Sequence, residues 1–210
     1  MALDELLDEH EQSERVRNWL RQNSLGLVGG LVLGLALIGG GRWWMHQAHQ
    51  KKVAVGEAYQ GALDSIAANE LDKAAAQAGA LKGTPYAALV ALDLAKAQLD
   101  AGKRDEAIAT LRAATSRDPG IAEVVQQRLA RLLIDAGKGE EAVALLAGSD
   151  DATSIEVRGD AHFALDKRED ARKDYAEALR KLDVAAPQRQ LLEFKLTQAG
   201  GAPDTKGTES

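Results

Sequence analysis

The chain has 210 residues and a formal net charge of -6, from 26 Lys and Arg against 32 Asp and Glu, which argues against a surface built to neutralise nucleic-acid phosphates. Its hydrophobic share of 45% is dominated by Ala and Leu while aromatics reach only 4%, a helix-on-helix composition rather than the Val, Ile, Thr and Tyr usage of a sheet protein. The absence of cysteine removes disulfides, a thiolate zinc site, a thiol nucleophile and a lipid-modified cysteine.

In chain order, residues 1–23 come first as an N-terminal segment in which Leu3 to Gln22 reads as an acidic amphipathic helix. A membrane span over 24–44 follows. The seventeen residues from Leu25 to Gly41 (LGLVGGLVLGLALIGGG) are all apolar or glycine. At the helical rise they cover about 25 Å, and Ser24 to Trp44 roughly 31 Å, the thickness of a bilayer core. Trp43 and Trp44 suit the far interface, and Arg42 can snorkel to the headgroups from just inside them. A cleaved signal peptide fits poorly, because an acidic stretch (Asp4, Glu5, Asp8, Glu9, Glu11, Glu14) precedes the run and two tryptophans follow it.

Flanking charge does not orient the span. Arg15, Arg17 and Arg21 precede it, and Arg42, Lys51 and Lys52 follow it, so the positive-inside count ties. Gly26, Gly30 and Gly34 stand four residues apart on one helix face, a stripe that would let another membrane helix approach closely.

Residues 45–198 read as a repeat domain. A weak hairpin comes first, Val53 to Ala68 with Glu70 to Leu81, and its first helix continues out of the membrane. Thr84-Pro85 then looks like a helix cap and first-turn proline. Three stretches repeat: AGKRDEA (101–107), AGKGEEA (136–142) and LDKREDA (165–171), spaced by 35 and 29 residues. Gly102, Gly137 and Asp166 are placed to end a helix in a left-handed cap, and the acidic residues after them open the next helix at its positive end.

Twelve residues separate Ala95 from Ala107, Ala130 from Ala142 and Gly159 from Ala171, giving each hairpin two small residues where its helices cross. Leu111, Leu146 and Tyr175 fill the space one turn further on, and Pro119 is expected to close the first unit. Small-then-large spacing with a period near 34 is the tetratricopeptide pattern. The fold class is therefore all-α: one transmembrane helix, then a tetratricopeptide-like α-solenoid of about three to four hairpins and a closing helix over Pro187 to Gln198 (with Leu191, Leu192, Phe194 and Leu196 as its apolar set). Residues 199–210 are read as an unstructured tail.

The first helices of such hairpins line a concave face. That places Leu89, Leu92, Lys96 and Leu99 there from the first clear unit, Val124, Gln127, Arg131 and Ile134 from the second, and Glu156, Asp160 and Phe163 from the third. Apolar residues mixed with charges suit an amphipathic helix or an extended segment laid in a groove.

Catalytic motifs are wanting. His46 and His49 have metal-pair spacing with no carboxylate near them, His162 falls where the repeat carries a packing aromatic, and no Gly-x-Ser-x-Gly turn or phosphate loop occurs. No catalytic residue, metal or cofactor is expected.

The order of these segments carries a resemblance. An acidic N-terminal helix precedes a Gly-rich span ending in Arg42-Trp43-Trp44 and a helix containing Ala58-Tyr59-Gln60. YAALVALDLAKAQL, QRLARLLIDAGKGEEAVALL and RGDAHFALDKREDARKDYAEAL follow. The chain resembles the YfgM family, ancillary subunits of the bacterial SecYEG translocon, from the acidic helix to Leu196. The resemblance implies an inner-membrane protein with its N-terminus in the cytoplasm and its repeats in the periplasm. It further implies association with SecYEG and the membrane-anchored periplasmic chaperone PpiD, handing emerging polypeptides to periplasmic chaperones. An alternative is a tethered adaptor for another envelope complex, such as division or outer-membrane assembly. A third, a cytoplasm-facing adaptor, survives through the tied charge count.

Overall fold

The computed structural model describes residues 2–202, with side chains from Glu14 onward apart from positions 27 and 48. The last eight residues of the tail and the acidic side chains of the first thirteen lie outside the described residues. Among those described, nine helices and no strand occur. The chain divides into two compact units at Ala54/Val55, within the first helix, α1 (Ala2–Ala67).

The N-terminal unit is one helix. From Val28 on, α1 contains the one stretch among the described residues long and apolar enough to cross a membrane. Between residues 25 and 45 the described aliphatic side chains are exposed, Leu25 at 90% and Leu37 at 76%, and no described residue covers them. Burial is what normally stabilises such residues, so the segment needs an apolar surrounding that the described residues do not supply.

From Val55 the chain builds antiparallel hairpins. The end of α1 packs on α2 (Leu71–Ala80) through Ile66 and Gly61, and α3 (Ala87–Asp100) pairs with α4 (Arg104–Ala113), α5 (Pro119–Asp135) with α6 (Gly139–Leu146), and α7 (Ala152–Ala164) with α8 (Arg168–Lys181). A last helix, α9 (Arg189–Gln198), packs on α8. The turns show why. Gly102, Gly137 and Asp166 adopt φ of 76°, 73° and 57°. The next residue's N–H reaches back to the carbonyl five residues earlier, Lys103 to Gln98, Lys138 to Leu133 and Lys167 to His162, at 2.8 to 2.9 Å. These are Schellman caps, which satisfy carbonyls that the helix end leaves orphaned. Asn69 does the same at φ 58°, with Glu70 N–H to Ser65, so the first hairpin is a full member of the series.

The crossings follow the turns. Ala95, Ala107, Ala130, Ala142 and Ala171 are buried at 3% exposure or less, and Gly159 is buried beside them. The first hairpin has the same pair in Ala62 and Ala74, both fully buried, again seven residues before and five after its turn residue Asn69. Leu111, Leu146 and Tyr175 pack beside the crossings at 0 to 3% exposure. Apolar side chains of α3 to α7 form one continuous core, and Ile155, Tyr175, Leu179, Leu192 and Leu196 a second beneath α9.

Four expectations need correction. Thr84-Pro85 does not cap α3: that helix starts at Ala87 after Tyr86, and the Thr84 hydroxyl donates to Leu81 O at 2.7 Å. Pro119 does not close a unit but opens the next, at the first position of α5, where Asp118 accepts from Ile121 N–H at 3.0 Å. A proline there gives up only an N–H that would be unpaired anyway. Half of the apolar set assigned to the closing helix faces solvent, Leu191 at 56% and Phe194 at 58%. Finally Ala199, placed in the tail, is buried in the second core, because α9 ends in the same cap through Gly200 (φ 85°) and a Gly201 N–H bond to Leu196. Seven residues before Gly200 stands Glu193, where the hairpins have Ala62, Ala95, Ala130 and Gly159. That side chain denies α9 a close crossing of the same kind.

Candidate partner groove

Counting back from each left-handed turn residue puts the predicted groove residues in register. Leu92, Lys96 and Leu99 lie ten, six and three positions before Gly102; Gln127, Arg131 and Ile134 before Gly137; Glu156, Asp160 and Phe163 before Asp166. Helices α3, α5 and α7 pack side by side, α3 on α5 and α5 on α7, so the equivalent positions form rows. The same count from Asn69 gives Tyr59, Leu63 and Ile66 as the equivalent positions on α1. The sequence held a signal for them, since Asn is the residue after Gly that most readily takes a left-handed turn. Tyr59 packs against Tyr86 with ring centroids 4.9 Å apart and planes tilted by 34°.

The rows divide into an open part and a self-satisfied part. On α3 and α5, Leu92 is half-buried, Lys96 and Arg131 are exposed, and Leu99 and Val124 are 38% and 40% exposed. Leu92, Lys96, Leu99 and Arg131 line one cavity of about 240 Å³, floored by Ala95 and Leu132 and flanked by Arg128 and Asp135. Leu89, half-buried on α3, and Ile134, packed against the main core, are not among its lining. Lys96 donates to Asp100 at 2.8 Å, which holds its ammonium above the ordinary lysine value.

On α7 the predicted side chains are held by neighbouring helices. Lys195 of α9 donates to Glu156 Oε1 at 2.6 Å and to Asp160 Oδ2 at 2.8 Å. Burial pulls the Lys195 ammonium toward its neutral form, but the bonds from Asp160 and Glu156 outweigh this and raise its pKa. Tyr175 Oη donates to Asp160 Oδ1 at 2.8 Å, and burial, with that carboxylate beside it, raises the phenol well above its ordinary value. Phe163 packs against the second core under the guanidinium of Arg168, 5.0 Å from its ring centre. Gln127 bridges α5 to α7, donating to Asp151 Oδ1 at 3.1 Å and Ser154 Oγ at 3.0 Å.

A buried ion pair supports this end from behind. Arg158 grips Asp174 with two bonds, Nε to Oδ2 at 3.0 Å and a terminal nitrogen to Oδ1 at 2.6 Å. The bond to Asp174 raises the Arg158 pKa against the burial that opposes it. Both residues lie in the stretch RGDAHFALDKREDARKDYAEAL, but they stand on different helices sixteen residues apart and no repeat spacing connects them.

Gly26, Gly30 and Gly34 lie four residues apart along the helix of the N-terminal unit, and a methyl group at any of them would meet no atom beyond its own stretch of helix backbone within 4 Å. His46 faces Gln50, 3.0 Å from its amide. Among the described residues no three His, Cys, Asp or Glu side chains stand close enough to share a metal ion.

The arrangement has known relatives. A stretch of 108 residues is 31% identical to the ancillary SecYEG translocon subunit of Escherichia coli (strain K12), covering 50% of this chain and 52% of that protein. The chain thus spans about half the length of the curated relative that it matches. The tetratricopeptide repeat-like domain family matches residues 17–201, all of the stacked hairpins together with the apolar stretch of helix before them. By that match, and by the turns and crossings that repeat through its hairpins, the chain belongs to the tetratricopeptide repeat-like family.

Proposed function

We propose that this chain is a non-enzymatic adaptor that associates with the SecYEG translocon. The observation that carries this reading is the identity, over half the chain, to a protein named as an ancillary subunit of that translocon. Two physical features agree with it. A helix exposed and apolar on every face supplies an anchor over 24–44, and a stack of hairpins supplies a surface rather than a reaction centre.

In this reading the N-terminal segment 1–23 stays in the cytoplasm and the repeat domain 45–198 stands in the periplasm of a bacterial inner membrane. The rows of α3, α5 and α7 meet either emerging polypeptide or a membrane-anchored periplasmic chaperone of the PpiD kind. The Gly26, Gly30 and Gly34 stripe faces a helix of the membrane partner.

The test is affinity purification of the full chain in mild detergent. Recovery of Sec subunits together with a PpiD-like chaperone is expected. A prey list of division or outer-membrane assembly proteins without Sec subunits overturns the reading in favour of another envelope adaptor. A reporter fused after Ser210 tests orientation independently: cytoplasmic activity overturns the periplasmic placement.

A further inference from the structure

The charged residues that line the cavity between α3 and α5 are mainly cations. Three cations, Lys96, Arg128 and Arg131, line it with one carboxylate, Asp135, while a second carboxylate, Asp100, is bonded to Lys96, on a chain of net charge -6. Elsewhere in the hairpins arginine and lysine are mostly paired: Arg112 with Glu141, Arg158 with Asp174, Lys167 with Glu140, Lys195 with Glu156 and Asp160. Arg128 and Arg131 make no hydrogen bond or ion pair with the described residues. Lys96, although bonded to Asp100, also feels the positive charge of Arg128. Lys96 already has its counter-charge in Asp100, whereas the two arginines have none bonded to them among the described residues. Like charges placed together cost free energy unless a counter-charge arrives. Two guanidiniums spaced one helical turn apart on α5, with their forks free, are suited to carboxylate oxygens.

Between them the wall is apolar, with Leu92 half-buried and Leu99 38% exposed. A cavity of about 150 Å³ holds a benzene ring. The 240 Å³ here takes one leucine- or phenylalanine-sized side chain with room beside it. We propose that this cavity binds an acidic amphipathic segment of a partner protein, seating one apolar side chain between Leu92 and Leu99 and one carboxylate at Arg128 and Arg131. The inference rests on the adaptor reading and names the chemistry of the segment that the adaptor holds. The neighbouring rows on α7 do not compete for it, because Glu156 and Asp160 are already neutralised by Lys195.

The test uses the full chain in detergent and two labelled amphipathic peptides, one of Leu and Glu and one of Leu and Lys at the same positions. Fluorescence anisotropy should show the Glu peptide binding, the Lys peptide not, and the binding weakening as salt rises. The double variant R128E/R131E should lower affinity for the Glu peptide at least about tenfold, the loss expected on replacing a charge-assisted contact by repulsion. Micelles are common to both proteins, so that difference belongs to the cavity. Both arginines are exposed, and the milder R128Q/R131Q with unchanged helical circular dichroism guards against a folding effect. Equal affinity for the two peptides, or affinity unchanged in R128E/R131E, overturns the inference. Recovery of Sec subunits by the wild-type chain separates this from failure of the adaptor reading. Sec subunits recovered equally by wild type and R128E/R131E, with no peptide discrimination, sink the cavity proposal alone; no Sec recovery by wild type sinks the adaptor reading, and the anisotropy result still decides the cavity.

Discussion

Gly30 and Gly159 are both helical glycines, yet a methyl group added to Gly30 would meet nothing within 4 Å, while one on Gly159 would lie 2.6 Å from the Tyr175 ring. Leu37 and Leu146 make the same contrast among large residues, at 76% and 0% exposure. In the N-terminal unit small and aliphatic residues make a surface; in the hairpins they make an interior. Composition alone cannot tell the two apart, since both regions are rich in Ala, Gly and Leu. Spacing can: the hairpins alternate small crossings with large fillers at fixed offsets, and the apolar stretch of α1 does not.

The sharpest way to break that contrast is to delete side-chain volume in each region. Leu146→Ala should cost about 2 to 5 kcal/mol, lost burial plus the cavity left behind. Leu37→Ala should leave the hairpin domain's unfolding midpoint where it was. Urea or guanidinium unfolding in detergent, followed by circular dichroism, reads both. Equal effects would mean that Leu37 is covered by protein after all.

Adding volume is the second way. Gly159→Ala pushes a methyl into Tyr175 and against Asp174 Cβ at 3.3 Å, so the ring that caps the second core must move. Overpacking of this kind costs about 1 to 3 kcal/mol. Gly30→Ala should be neutral for the same midpoint. If Gly159→Ala is neutral too, the α7–α8 crossing is looser than the structure shows. A separate readout addresses the stripe: G30L/G34L should lower recovery of membrane partners without touching hairpin stability, and undiminished recovery removes the contact face.

What was legible in the sequence follows this division. Wherever local chemistry decides, at Gly102, Gly137, Asp166 and the twelve-residue crossing pairs, the structure has the expected turn and contact. The first hairpin reads as weak in the sequence because Asn69 replaces glycine and the space filled elsewhere by Leu111, Leu146 or Tyr175 is taken by Ala78. Its turn and crossing are nonetheless of the same kind. The concave rows were placeable by register, but which of their side chains stay open was not. Glu156 and Asp160 are occupied by Lys195, thirty-nine and thirty-five residues later in the chain, and no periodic pattern connects them. Pro119 opens α5 rather than closing the unit before it, and residue type alone does not decide this because proline both follows helices and opens them.

That Lys195 contact gives a third, smaller test, one that separates the open rows from the occupied ones. Its pKa is raised above the ordinary 10.5 by Asp160 and Glu156 despite burial. A group raised in the folded state stabilises fully below its unfolded value and loses that contribution as pH rises through the folded one. Lys195→Met should therefore lower stability by a constant amount from neutral pH up to about 10.5, and the gap to wild type should narrow above it. Lys96→Met, whose partner Asp100 is exposed, should show almost no gap at any pH. A Lys195 gap that does not change with pH would mean that its aliphatic stem, rather than its charge, holds α9 on α7.

The smallest expected effects lie in the turns, and they set the repeats against one another. Gly102 and Gly137 take the left-handed conformation without a Cβ, whereas Asn69 and Asp166 take it with one. Alanine in that region costs about 1 to 2 kcal/mol relative to its preferred conformation, partly offset by the entropy an unfolded glycine would gain. Gly137→Ala should thus destabilise by about 1 kcal/mol. Asp166→Gly should do the reverse by about half that, because Asp already tolerates the conformation and its ion pair with Arg168 is exposed and weak. Thermal midpoints of the two variants against wild type decide it. Opposite signs mean that the caps act alike and differ only in their turn residue. A destabilised Asp166→Gly would instead give the Asp166 carboxylate a structural part in holding Arg168 over Phe163, and with it the end of the occupied row.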